Sequence, residues 1–87
     1  MFSKILEEVN SLLVKKNTDY NSSYDQLRER FGPVSFLIRM HDKLNRVEQL
    51  TKTDAQVKDE SIIDTLEDII GYATLELKFR EDRKECK

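Results

Sequence analysis

Gly32 and Pro33 stand side by side, and with Gly71 they are the only glycines and proline in 87 residues. Sheet proteins need many tight reversals built on Gly, Pro and Asn-Gly pairs, and this chain cannot supply them. Long helices interrupted once near the middle are what such punctuation allows. Hydrophobic residues make up 38% and charged residues 37%, which is enough apolar surface to exclude a disordered chain and enough charge to leave helix faces wetted. The expected fold class is all-α: one domain spanning 1–87, a small antiparallel bundle of three long helices plus a short one. A lone domain of this size buries only about 60% of the surface its unfolded chain exposes, so assembly as a homo-oligomer is expected.

Periodicity places the helices. Phe2, Ile5, Leu6, Val9, Leu12 and Leu13 recur at helical spacing and predict a first helix over 3–16. "KKNTDYNSSY" loses the period and reads as a loop of about seven residues. "YDQLRERFGP" predicts a short helix closed by Gly32 and stopped by Pro33. From Ser35, as N-cap, Phe36, Leu37, Met40, Leu44 and Val47 mark a second long helix to Leu50. Residues 51–58 are a polar connection, and a third long helix is expected from Asp59 to Arg83, with Ser61 and Asp64 fitting a capping box. Leu6, Val9, Leu13, Met40, Leu44, Leu66, Ile70 and Ala73 form the expected core.

Opposite that core lie two odd stripes. On the third helix Glu60, Asp64 and Asp68 are spaced by four, and the stripe then turns apolar through Gly71, Tyr72, Leu75 and Phe79. A solvated face should not turn apolar, so this half of the helix is expected to be covered by the first helix or by a second subunit, with Tyr72, Leu75 and Phe79 as the oligomer contact. On the second helix Arg39, Asp42 and Arg46 fall at i, i+3 and i+7, beside Lys43 and Asn45. These are either solvated ion pairs of about 0.2–0.5 kcal/mol each or a phosphate clamp, because guanidinium presents paired donors that match phosphate oxygens. Tyr20, Tyr24 and Tyr72 supply rings for base stacking. His41 has no second His or Cys at ligand spacing and reads as an ordinary surface histidine.

The formal charge of −2 offers no global field for long nucleic acid or an anionic membrane, so an anion site must be local. A single cysteine, Cys86, suits a reducing cytoplasm; the first ten residues carry acids where a signal peptide needs an apolar core, and no apolar run approaches membrane length.

Three blocks in register, "KKNTDYNSSY", "IRMHDKLNR" and "KDESIIDTLEDIIGYA", resemble the small phage and prophage proteins of the nucleotide modification associated domain, first type, over residues 15–75. Asn21 stands where that family often has Gly; Asn tolerates the left-handed conformation Gly would supply. The resemblance implies a theme of nucleotide chemistry and adds Lys16, Asp19 and Tyr20 to the candidate site. More distantly, the acidic helix resembles the MazG-type all-α nucleotide pyrophosphatases, which hold magnesium between two acid-rich helices. That likeness implies a magnesium site from Asp42, Glu60, Asp64 and Asp68, although only Asp42 comes from the second helix, amid Arg39, Lys43 and Arg46.

Three functions fit these features. The first is a nucleotide-binding protein that captures a phosphorylated nucleotide, as a sponge for a nucleotide immune signal in an infected cell's cytoplasm, through Lys16, Asp19, Tyr20, Arg39, Asp42, Lys43, Arg46, Glu60, Asp64, Asp68 and Tyr72. The second is a magnesium-dependent nucleotide phosphohydrolase or nucleotide-modifying enzyme, which needs the four acids to converge. The third is a helical interaction module in which the same charges set partner register. In the first reading Asp42 and Asp64 orient Arg39 and Arg46.

Overall fold

The computed structural model describes residues 1–20, 23–52 and 58–84, with backbone alone for 17–20 and 58–60. It contains four helices, α1 (Ser3–Tyr20), α2 (Ser23–Phe31), α3 (Val34–Thr51) and α4 (Lys58–Asp82), and no strand among the described residues. None of these helices is long and apolar enough to cross a membrane.

The reversal between α2 and α3 forms where the breakers predict it. Gly32 adopts φ +76°, open to Gly at no steric cost, and its N–H donates to the Arg28 carbonyl at 2.9 Å, closing α2. Pro33 then occupies the N-cap of α3, and Ser35, expected in that role, lies inside the first turn with its hydroxyl donating to the Gly32 carbonyl at 2.9 Å. Two other boundaries move. α1 runs on to Tyr20 instead of ending at 16, because Asn, Thr and Asp cost a helix only about 0.5–0.7 kcal/mol each and do not break it. α4 starts at Lys58, so Ser61 and Asp64 are interior and form no capping box; the Ser61 carbonyl instead accepts from the Thr65 hydroxyl at 2.7 Å.

α4 is the element against which the others pack. α3 runs antiparallel to it, fixed by Arg46 to Thr65, Lys43 to Asp68 and Arg39 to Tyr72, three rungs with the same three-and-four spacing on each helix. α1 is also antiparallel: Lys16 meets Asp68, and Leu13 lies so close to Gly71 that a Cβ there would sit 3.3 Å from its side chain. α2 lies parallel to the C-terminal half of α4, with Tyr24 and Arg28 on Glu76 and Glu29 paired with Arg83.

The interior follows the charged and aromatic stripe of α4, and this overturns the expected core. Of the residues assigned to it, Val9 is buried, while Leu13, Met40, Ile70 and Ala73 are half-buried and Leu6, Leu44 and Leu66 are exposed. Buried instead are Tyr24, Thr65 and Phe79, with Arg28 and Glu76. The stripe of Tyr72, Leu75 and Phe79 is accordingly covered by the chain's own α1 and α2: Phe79 lies beneath the guanidinium groups of Arg28 (4.7 Å) and Arg83 (3.6 Å). Phe79 is buried by this intramolecular packing, while Tyr72 and Leu75 remain half-buried.

Candidate functional site

The seam between α3 and α4 meets α1 and α2 at a cleft of about 420 Å³. Its floor is the middle of α4, where Gly71 leaves room and Asp68 and Tyr72 project. Lys16 from α1 and Lys43 from α3 reach the Asp68 carboxylate from opposite sides, at 3.4 and 3.2 Å, one on each oxygen. Beside them the Tyr24 and Tyr72 rings form an aromatic wall, with centroids 6.2 Å apart and planes tilted by 33°. The Arg39 guanidinium lies over both rings, 5.7 Å from Tyr24 and 5.2 Å from Tyr72, and donates to the Tyr72 hydroxyl at 3.2 Å. Lys43 sits 6.0 Å from the Tyr72 ring. Three cations, Lys16, Arg39 and Lys43, thus line the cleft against two carboxylates, Glu67 and Asp68, leaving a local charge of +1 within a chain whose net charge is −2.

The aromatic wall rests on a buried ionic cluster. Glu76 accepts from the Tyr24 hydroxyl at 2.7 Å, from Arg28 at 2.8 and 3.0 Å and from Arg80 at 2.6 Å. The Arg28 hydrogen bonds, aided by those from Tyr24 and Arg80 and opposed by burial, bring the Glu76 pKa down to about 2. Burial and the bond to Glu76 push the Tyr24 phenol well above its usual range, so it stays protonated and donating. Bidentate charge-assisted bonds are directional, and these fix the Tyr24 ring that faces Arg39 and Tyr72.

Residues 16–77, from the lysine at the cleft to the residue after Glu76, match the family nucleotide modification associated domain 1. The chain belongs to that family. No curated protein and no solved structure shows significant similarity to it. In this member of the nucleotide modification associated domain 1 family, every cleft residue named above lies inside the matched span.

The structure brings together six of the residues singled out from sequence: Lys16, Tyr24, Arg39, Lys43, Asp68 and Tyr72. It sets others apart. Asp42 and Asp64 are exposed and do not line the cleft, and among the described residues no ion pair joins either to an arginine. Arg39 is held by a phenol, and Arg46, also exposed, donates to Thr65 at 3.2 Å. The reason is rotational: the contact face of α3 runs through Arg39, Lys43, Val47 and Leu50, so Asp42 falls to its outer side. Asp19, Tyr20 and Glu60 fall on residues whose side chains lie outside the described ones. Among the described residues no group of three or more Asp, Glu, His or Cys is placed to hold a metal ion; of the four acids expected to hold magnesium, Asp68 is engaged by two lysines.

Arg28 and Glu76, the strongest electrostatic pair of the chain, were not singled out from sequence. One signal was present, since Glu76 continues the stripe of Asp68, Tyr72 and Phe79 at four- and three-residue steps. A lone acid among apolar neighbours on a covered face calls for a buried cation, and α2 carries it at Arg28.

Proposed function

We propose that this protein binds a phosphorylated nucleotide in the cleft between α1, α2, α3 and α4, with the base on the Tyr24–Tyr72 wall and the phosphate among Arg39, Lys43 and Lys16. The observation that carries this reading is the juxtaposition of an aromatic wall and a guanidinium stacked on it with two ammonium groups in one cavity. Its volume of about 420 Å³ suits a small molecule, and stacking on Tyr faces is tolerant of base identity. Arg39 is already held by Tyr72, and Lys16 and Lys43 are held by Asp68, so little side-chain ordering remains to oppose binding. The carboxylates reduce the pull on an anion. A lining charge of +1 favours a nucleotide bearing a single phosphate or a phosphodiester over a free triphosphate, which would bring magnesium as its counter-ion.

Capture is favoured over turnover by where the acids stand. Asp42 and Asp64 lie exposed outside the cleft and both Asp68 oxygens are bound by ammonium groups, an arrangement suited to holding phosphate by direct recognition. Holding a nucleotide without cleaving it is the property that a phage-type protein would need to act as a sponge for a nucleotide immune signal in the host cytoplasm, and that role is part of the proposal.

A thermal-shift series over mononucleotides, cyclic and dinucleotide phosphodiesters and triphosphates, with and without magnesium, tests the reading. A ligand at a hundred times its dissociation constant should raise the melting temperature by about 15 °C. Arg39→Ala and Lys43→Ala should abolish that shift, whereas Asp42→Asn and Asp64→Asn should keep it. A response only to magnesium-loaded triphosphate, with phosphate release, would replace capture by the phosphohydrolase; no response to any nucleotide would end the proposal.

A further inference from the structure

The α3–α4 hairpin has two broad faces, and only one of them is covered. Its charged and aromatic face carries the cleft and is closed by α1 and α2. On its other face the aliphatic stripes that periodicity marks as core stand open: Leu37 is 52% exposed and Leu44 53% on α3, Leu66 is 46% exposed and Leu77 65% on α4. Met40 and Ile70, on the same stripes, are half-buried.

The surface area shows how much cover is missing. The chain exposes 6,978 Å², whereas a compact monomer of 10.3 kDa exposes about 5,400 Å². The excess over the whole chain is about 1,600 Å², of which the α3–α4 face is one part, and it exceeds the roughly 800 Å² that a standard interface removes from each partner. The radius of gyration agrees: it is 14.6 Å, against about 12 Å for a compact chain of this length.

We infer that a second copy of this chain covers the aliphatic α3–α4 face, the two hairpins packing back to back about a two-fold axis with their nucleotide clefts turned outward. A face of Leu, Met and Ile from two antiparallel helices is self-complementary: it can be matched by its own copy into a four-helix layer. The net charge of −2 sets little repulsion against association. The inference does not rest on the nucleotide reading, since the two faces lie on opposite sides of the hairpin.

Light scattering on the eluting wild-type protein should give the mass of two chains, and Leu44→Glu with Leu66→Glu should give the mass of one. If the double variant unfolds, thiol labelling decides. With Cys86 replaced by Ser, Leu44→Cys and Leu66→Cys should react about tenfold more slowly than Asp42→Cys and Asp64→Cys, because labelling at the former must wait for the interface to open. A wild type that remains one chain at high concentration overturns the inference. So does an assembly in which the four thiols react alike, which would place the contact elsewhere. An interface failure with nucleotide binding intact would leave the cleft proposal standing, and the reverse holds equally.

Discussion

At the Glu76 carboxylate the sequence spends three donors from two helices, and the protonation of that one group sets much of the acid stability. Its pKa of about 2 lies below the roughly 4.3 of an unfolded glutamate, so its contribution is present above that value and is lost as pH falls through the folded pKa. Glu76→Gln should destabilise the protein by about 2–3 kcal/mol at pH 7, since it leaves the Arg28 guanidinium buried without a counter-charge. Urea midpoints at pH 7 and pH 3 would check this, with the deficit smaller at pH 3. Tyr24 has the opposite sign. Its raised pKa gives stability that is present below about 10 and lost as the phenol is forced to ionise at higher pH, so Tyr24→Phe should weaken the alkaline fall while costing about 1 kcal/mol at neutrality. At the cleft, Arg39→Lys keeps the charge but loses the flat cation over Tyr72 and the paired donors; about tenfold weaker nucleotide binding is expected by titration calorimetry, with the fold unchanged. Equal affinity would mean that Arg39 does not meet the ligand.

Between the helices the decisive dimension is the approach of α1 to α4 at Gly71. A methyl group there would stand 3.3 Å from the Leu13 Cδ2, tight but against the end of a half-buried side chain that can shift. Gly71→Ala should therefore be close to neutral, the gain of up to about 1 kcal/mol in helix propensity offsetting the crowding. Gly71→Leu cannot be accommodated in the same way and should cost about 1–3 kcal/mol, pushing α1 outward and separating Lys16 from Asp68; a thermal melt and a nucleotide titration read the two effects. The helices themselves were legible because spacing of three and four is a local property, and Gly32-Pro33 marked the one sharp reversal. Which face of each helix turns inward was not legible. Periodicity locates an apolar stripe at Leu37, Leu44, Leu66 and Leu77 but is silent on whether the chain covers that stripe or leaves it for a second molecule. The rule that apolar means inside then placed Leu6, Leu44 and Leu66 in the core, where the structure leaves them exposed. Asp68 was found because a charge on a stripe that turns apolar is informative whichever way the helix turns, and Lys43 because it flanks the arginines of the second helix; Lys16 came only through the family resemblance.

For the whole molecule, the distribution of burial implies that folding and association are one event. Among the described residues only Val9, Tyr24 and Phe79 are buried hydrophobic residues, and three such side chains supply roughly 5–9 kcal/mol against the ordering entropy of the chain. The Arg28–Glu76 cluster does not close that gap, because desolvation offsets most of the Coulombic gain of a buried ion pair. Covering the aliphatic face of α3 and α4 with a second copy would bury Leu37, Leu44, Leu66 and Leu77, all exposed in the single chain. If that is where the stability lies, unfolding converts one folded dimer into two chains, and mass action makes the melting temperature depend on protein concentration. Each tenfold dilution should lower it by roughly 3–5 °C for a unit of this size, and the Leu44→Glu, Leu66→Glu variant should show no such dependence if it folds at all. Calorimetric scans of the wild type over two decades of concentration would read this directly. A transition temperature constant across that range would mean that the single chain is stable on its own, with its aliphatic face left in water.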